Sequence, residues 1–327
     1  MDRLGETSWR IDFTEVFNYG VLCHALATAD NLGLFDKMSD KGVLSEDDLG
    51  EGLFVKEIAS LLLAAAIFKM GIDNASYVAG PAFGEAMSLK GFFTWLFLGS
   101  GHVLVEATTG LDEASPRMGD VIGKATADFG RNFIDELLLE VVRQRSATKL
   151  LDIGCGDGSR LVKFATELGV SAVGVDLSPK AIDVALAREV RTSDSSEFTW
   201  ICSDVLSLKS RDPRLEGVDV ALMSLMAHDL WPESNFHSFL DKLPHIAPSI
   251  RTLIITETVR STADPAAFLK EGIPTVGYEY LHSAMDQYIP TELQWLSTID
   301  SAPGWVLAEA KRIEIPSNTV VMVLERT

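Results

Sequence analysis

The amino-acid sequence predicts an α/β protein in which a helix-rich N-terminal part precedes a mostly parallel sheet with helices on both faces. Three observations predict it. Up to about residue 146, apolar residues recur at helical spacing. From Lys149 onward, short apolar runs alternate with amphipathic stretches, the rhythm of strand–helix–strand units. The first of these runs is Leu150-Leu-Asp-Ile-Gly-Cys-Gly-Asp-Gly158, a strand entering a glycine-rich turn and then a helix.

Each element follows from its residues. Phe13–Asn31 carries Phe13, Val16, Phe17, Val21, Leu22 and Ala25 at helical spacing, and Asn31–Gly33 stops it. Ser45, followed by three acids, is a helix start. Val55–Met70 predicts a strongly apolar helix ending at Gly71. A polar turn from Asp73 and a hairpin-like piece near Tyr77–Ala79 come next. Gly91–Thr108 predicts another apolar helix, and Thr126–Arg145 a single amphipathic one. The predicted strands are Lys149–Ile153, Ala172–Val175, Phe198–Ile201, Val218–Met223, Thr252–Glu257, Trp305–Ile315 and Thr319–Glu325, seven in all. The helices between them are Arg160–Leu168, Pro179–Val190 and Phe236–Ile246. The N-terminal part, helical with a small β wing, resembles a winged-helix-like or dimerisation domain. The expected boundaries are 1–110 for that domain, 111–146 for linking helices and 147–327 for the domain with the parallel sheet.

Composition narrows the class. Of 327 residues, 47% are hydrophobic and 23% charged, so the chain has enough apolar residues for a packed core. At roughly 150 residues per domain, two domains are expected. With 28 basic against 47 acidic side chains the formal net charge is −19, which disfavours a nucleic-acid backbone or an anionic membrane as partner. Cys23, Cys155 and Cys202 make neither a disulfide framework nor a zinc spacing. The start, MDRLGETSWRIDF, lacks the apolar core of a signal peptide. The apolar stretches Leu61–Met70 and Gly91–Val105 fall short of the roughly 20 residues of a membrane span. A cytoplasmic protein is expected.

The glycine-rich turn is made specific by three acids. Asp152 precedes it, where a carboxylate suits an amine-bearing ligand and repels a pyrophosphate. Asp176 ends the next strand, 24 residues on (152 to 176), where a carboxylate can accept from ribose hydroxyls. Asp204 follows the third strand in Cys202-Ser-Asp-Val205 and can accept from an adenine amino group. The glycines alternate as Gly-x-Gly-x-Gly, whereas a dinucleotide-binding dehydrogenase has Gly-x-Gly-x-x-Gly. With DIGCGDG, VGVDLS and CSDVL in order over 149–325, the chain resembles the class I S-adenosylmethionine-dependent methyltransferases, which have a Rossmann-like fold. The resemblance implies that Asp152, Gly154 and Gly156 hold the methionine part, Asp176 the ribose, and Asp204 with Val205 the adenine.

The acceptor site is expected beyond the C-terminal ends of the strands. There the fourth strand runs into Met223-Ser-Leu-Met-Ala-His228-Asp229-Leu-Trp231-Pro232. Two kinds of relative carry a similar stretch. In two-domain small-molecule O-methyltransferases the corresponding His is a general base on a phenol. In α-keto acid C-methyltransferases that His and a later one bind a mononuclear metal. This chain offers the later His as His282, 54 residues on (228 to 282), within Tyr278-Glu-Tyr-Leu-His282. The chemistry fits two imidazoles. A 2-oxo acid chelates a metal through its carboxylate and ketone oxygens, and the metal stabilises the enolate as a β-proton leaves. A phenol needs only deprotonation. His228, Asp229 and His282 are therefore the candidate catalytic residues, with His228 and His282 as ligands of an ion such as iron or zinc. Asp229 could orient an imidazole, hold metal-bound water, take the proton, or simply start a helix.

By the same resemblance, Trp95 and Ser100 fall where the keto-acid family has pocket residues, and Arg117 could meet a substrate carboxylate. Core or surface roles are the plain alternative for all three. A homodimer through the N-terminal helices is expected, as is a small 2-oxo acid as substrate. A protein keeping the fold and cofactor pocket as a non-catalytic binding partner is a further alternative, against which the intact glycine-rich and acidic motifs speak.

Overall fold

The computed structural model describes residues 12–49, 52–99, 119–189, 197–261, 276–313 and 318–327. The chain divides into two compact units, 1–98 and 99–327.

The first unit is built from α1 (Phe13–Asn31), α2 (Leu34–Lys41), β1 (Val43–Ser45), α3 (Glu46–Leu49), α4 (Leu53–Ala64), β2 (Phe68–Met70), β3 (Ser76–Ala79) and α5 (Phe83–Thr94). The three short strands form an antiparallel wing in the order β1-β3-β2. Phe35, Leu44, Leu62 and Phe68 are buried at its centre. A buried polar contact fastens α5 to α1. Lys90 Nζ lies 2.8 Å from Asp30, which also accepts from Thr94 Oγ1 at 2.7 Å. A buried ammonium is tolerable only with such a partner.

Two predicted elements change here. The helix expected over Val55–Met70 stops at Ala64, because Ala66 turns left-handed (φ 57°) and Phe68–Met70 pairs with β3 as a strand. An apolar run of this length suits either state, and the available strand partner decides. Ser45 starts a helix as expected: α3 begins at the next residue, Ser45 N donates to the Asp48 carboxylate at 2.9 Å, and Asp48 N donates back to Ser45 Oγ at 3.2 Å. The helix expected over Gly91–Thr108 is preceded by residues that extend it back to Phe83. After Thr94 it widens into a π-helical turn, Trp95–Gly99, and the rest of that range lies outside the described residues.

The second unit begins with α6 (Gly119–Phe133) and α7 (Asp135–Gln144). These replace the single helix expected over Thr126–Arg145. The kink falls at Ile134 (φ −123°), which is buried, and beside it Asp135 pairs with Arg160 at 2.7 Å. Both helices pack against α8 (Ser159–Leu168), which follows the glycine-rich turn, so they form part of this unit.

The sheet contains β4 (Lys149–Ile153), β5 (Ser171–Asp176), β6 (Phe198–Cys202), β7 (Val220–Ser224), β8 (Thr252–Thr258), β9 (Trp305–Ile313) and β10 (Thr319–Arg326). Its seven strands are ordered β6-β5-β4-β7-β8-β10-β9. The first five run parallel, and β10 is antiparallel to both of its neighbours, β8 and β9. Strands β4, β5, β7 and β8 are buried along almost their whole length because helices cover both faces. These helices include α9 (Pro179–Glu189), α10 (Glu233–Ile246), α11 (Val276–Ala284) and α12 (Glu292–Asp300). β4 lies between β5 and β7, so the chain leaves it to opposite sides and opens a crevice at its C-terminal end. No helix among the described residues is long and apolar enough to cross a membrane.

Candidate active site

The crevice wall is the turn after β4. Gly154 (φ 73°) and Gly156 (φ 54°) are left-handed, a conformation open to glycine without strain. The backbone N–H groups of Gly154 and Cys155 donate to Val175 O at 2.8 and 3.1 Å. Gly156 N donates to Asp176 Oδ2 at 2.9 Å, while Ser178 N donates to Oδ1 at 2.8 Å. Asp176 is thus fixed at the end of β5 by the turn itself. Helix α6 approaches so closely that a Cβ on Gly123 would sit 3.3 Å from Gly156 Cα. Asp204 caps the short helical turn Val205–Ser207 at the end of β6, accepting from Leu206 N at 2.8 Å, and Val205 is buried.

Asp152 has the strongest electrostatic signature. Only 1% of it is exposed, and its Oδ1 is buried with no hydrogen-bond partner among the described residues. Burial pushes its carboxyl up to about 7, against the pull of the Arg160 guanidinium. A buried acceptor without a donor fits the ammonium of a bound S-adenosylmethionine.

Across the crevice, β7 ends at Ser224 and Leu225 turns left-handed (φ 55°), held by Leu225 N donating to Thr256 O at 2.8 Å. This strained residue leads into the helical turn Ala227–Leu230, which presents His228. His228 is buried, and its Nδ1 lies 3.0 and 3.1 Å from the two oxygens of Glu257. Glu257, wholly buried on the neighbouring strand β8, also accepts from His228 N at 3.3 Å. A carboxylate on Nδ1 fixes the Nδ1–H tautomer. His282, buried on α11, lies with its ring centroid 5.1 Å from that of His228, edge to face. Its Nδ1 donates to Tyr278 O at 2.8 Å, so the same tautomer holds there. The Tyr278 ring packs on His282 at 3.9 Å, and burial, with the Glu257 charge beside it, pushes the phenol well above its ordinary value.

The two predicted histidines, far apart in sequence, are therefore neighbours. Asp229 stands differently: it is exposed and accepts from Gln287 Nε2. The carboxylate on His228 Nδ1 is that of Glu257, a residue the sequence reading had not singled out. Glu257 reaches His228 because β8 runs beside β7. Glu257 was missed because it was read only as the end of a strand. An acid inside the apolar run Thr252-Leu-Ile-Ile-Thr-Glu was the available signal. Trp95 belongs to the other unit and is half-buried in the π-helical turn, while Ser100 and Arg117 lie outside the described residues. Cys155 is buried and its thiol pushed well up by burial, consistent with no role as a nucleophile.

Comparison with known proteins agrees with this geometry. A methyltransferase-domain family matches residues 150–246, from β4 through α10. The methyltransferase ungE' of Aspergillus campestris is 28% identical over 97% of this chain and 99% of its own. The indolepyruvate C-methyltransferase of Streptomyces griseus is 25% identical over 97% of each chain. Among solved structures, a putative O-methyltransferase from Nostoc punctiforme superposes with a TM-score of 0.64 at 14% identity, covering 96% of this chain and 98% of that one. The mitomycin 7-O-methyltransferase MmcR does so at 0.59 and 13%, covering 96% and 97%. With the alternating glycines, the acids at the strand ends and these similarities together, the chain is an S-adenosylmethionine-dependent methyltransferase with the fold of the two-domain enzymes.

Proposed function

We propose that this enzyme methylates the β-carbon of a 2-oxo acid in natural-product or unusual amino-acid biosynthesis. The observation that carries the reading is the pairing of His228 with His282 in one buried site. The similarity to an indolepyruvate C-methyltransferase along nearly the whole chain supports it.

The donor chemistry suits a mononuclear metal ion such as iron or zinc. Both rings turn Nδ1 to a protein acceptor, the arrangement that orients metal-binding histidines, and both would ligate through Nε2. Among the described residues no group of three or more His, Cys, Asp or Glu could hold a metal. On this reading the protein contributes two imidazoles, and the other positions go to the keto-acid chelate and water. When bound, the ion would polarise the ketone and stabilise the enolate oxygen. The remaining work falls to the chain. Asp152 binds the cofactor ammonium, Asp176 the ribose, and Asp204 with Val205 the adenine. Glu257 holds His228 in one tautomer. Asp229, bonded to Gln287, would accept the proton that leaves the β-carbon. Trp95, Ser100 and Arg117 remain the proposed substrate contacts.

The Glu257–His228 pair favours a second reading. A carboxylate on Nδ1 raises the basicity of the other ring nitrogen, which suits a general base. Metal-independent O-methylation of a phenol by His228 is that alternative. Transfer from S-adenosylmethionine carrying a ¹³C-methyl group separates the two. Given aryl and alkyl 2-oxo acids beside phenols, the enzyme is expected to form a C–CH₃ group next to the ketone, seen by ¹³C NMR. Methoxy product from phenols alone would overturn the proposal.

The exposed face of α1 supports a homodimer. Phe13, Val16 and Phe17 are 78%, 51% and 70% exposed, more apolar surface than one helix normally leaves to water.

A further inference from the structure

The end of β8 does more than hold His228. Three residues beyond Glu257, Arg260 reaches across to the segment that carries His282. Its Nη1 lies 3.3 Å from Glu279 Oε2, one helical turn before His282 on α11. Ser261 N donates to the other Glu279 oxygen. On the far side of His282, Arg260 Nε donates to Ile289 O at 3.0 Å and its backbone N to Pro290 O at 2.9 Å. Its guanidinium lies 4.6 Å over the Tyr288 ring, and Tyr288 stacks on Trp231, three residues after His228.

We propose that Arg260 is a positioning residue that sets the separation of His228 and His282 by clamping the His282 segment on both sides. One strand end would then fix both imidazoles: Glu257 through the ring of His228, Arg260 through the backbone and Glu279 around His282. The planar fork is what the site requires, because one cation must bond a carboxylate and a carbonyl while stacking on an aromatic ring. A lysine could keep the Glu279 pair but not the Ile289 bond and the stacking together. This role deepens the two-histidine reading of the site.

The test reads the distance between the rings. In deuterated protein carrying protonated, ¹³C-labelled histidine, wild type is expected to show a nuclear Overhauser cross-peak between His228 and His282. Arg260→Gln is expected to weaken it at least threefold and Arg260→Lys by less. Binding of S-adenosylhomocysteine should stay within twofold of wild type in both. Glu279→Gln, which cuts the clamp from the other side, should weaken the same cross-peak. An undiminished cross-peak in Arg260→Gln, or none in wild type, would overturn the proposal. Co²⁺ titration of the same samples separates this role from the metal reading. Wild type with the cross-peak but no Co²⁺ d–d absorption removes the metal and leaves the clamp standing.

Discussion

Asp152 carries the clearest consequence of a single residue's environment. Its folded carboxyl titrates near 7, well above the ordinary value of 3.8, because burial disfavours the charge. A carboxyl raised on folding holds its proton longer in the folded chain. Its contribution to the stability of cofactor-free protein is therefore present at low pH and lost as pH rises from about 4 to about 7. The cofactor ammonium needs the ionised form. S-adenosylmethionine affinity should accordingly climb toward pH 7 and level off above it, a slope that calorimetry between pH 5.5 and 8.5 would record. In Asp152→Asn the slope should vanish and the affinity fall at least tenfold. A wild-type affinity independent of pH would contradict the assignment. Glu257 gives the second prediction at this scale. Glu257→Gln is expected to weaken metal uptake by about 10–100-fold, as loss of a ligand's orienting partner does. Cofactor binding should be unchanged, and retained metal affinity would argue against the role. Asp152 was legible in the sequence because its spacing from the turn is local. Glu257 became legible only once β8 was seen to lie beside β7.

At the scale of elements, the alternating rhythm after Lys149 located each strand and the helices α8, α9 and α10 to within a few residues, while α11 and α12 went unread. Parallel strands between helices are apolar throughout and bounded by polar turns. The N-terminal unit was harder to read. Ile67-Phe-Lys-Met70 suits helix or strand equally, and the outcome rests on pairing of Lys69 with Val78 and Met70 with Tyr77. The kink at Ile134 likewise depends on a contact outside its own helix, the Asp135–Arg160 pair. The turn after β4 offers a test of an element. Gly154→Ala would place a methyl group 2.8 Å from Met226 in a left-handed residue. Left-handed backbone costs a residue with a Cβ about 1–2 kcal/mol, and the clash with Met226 adds to it. Thermal unfolding should fall by several degrees, with cofactor affinity reduced. An unchanged melting temperature would show that the turn relaxes freely.

For the whole molecule, the unit carrying the sheet brings together side chains that the sequence scatters from Asp152 to His282. The N-terminal unit presents the apolar face of α1. Phe17→Glu is expected to convert a dimer to monomer in light scattering, and a monomeric wild type would remove that reading. A net charge of −19 suits a protein whose ligands are small molecules. The central claim is that His228 and His282 act together on a metal that a 2-oxo acid can chelate. It is tested most directly by the metal content of untagged protein, wild type against His282→Ala. The account predicts about one equivalent of metal in wild type and its loss in the variant. Wild-type protein that binds S-adenosylmethionine, holds no metal and takes none up when it is offered would contradict it.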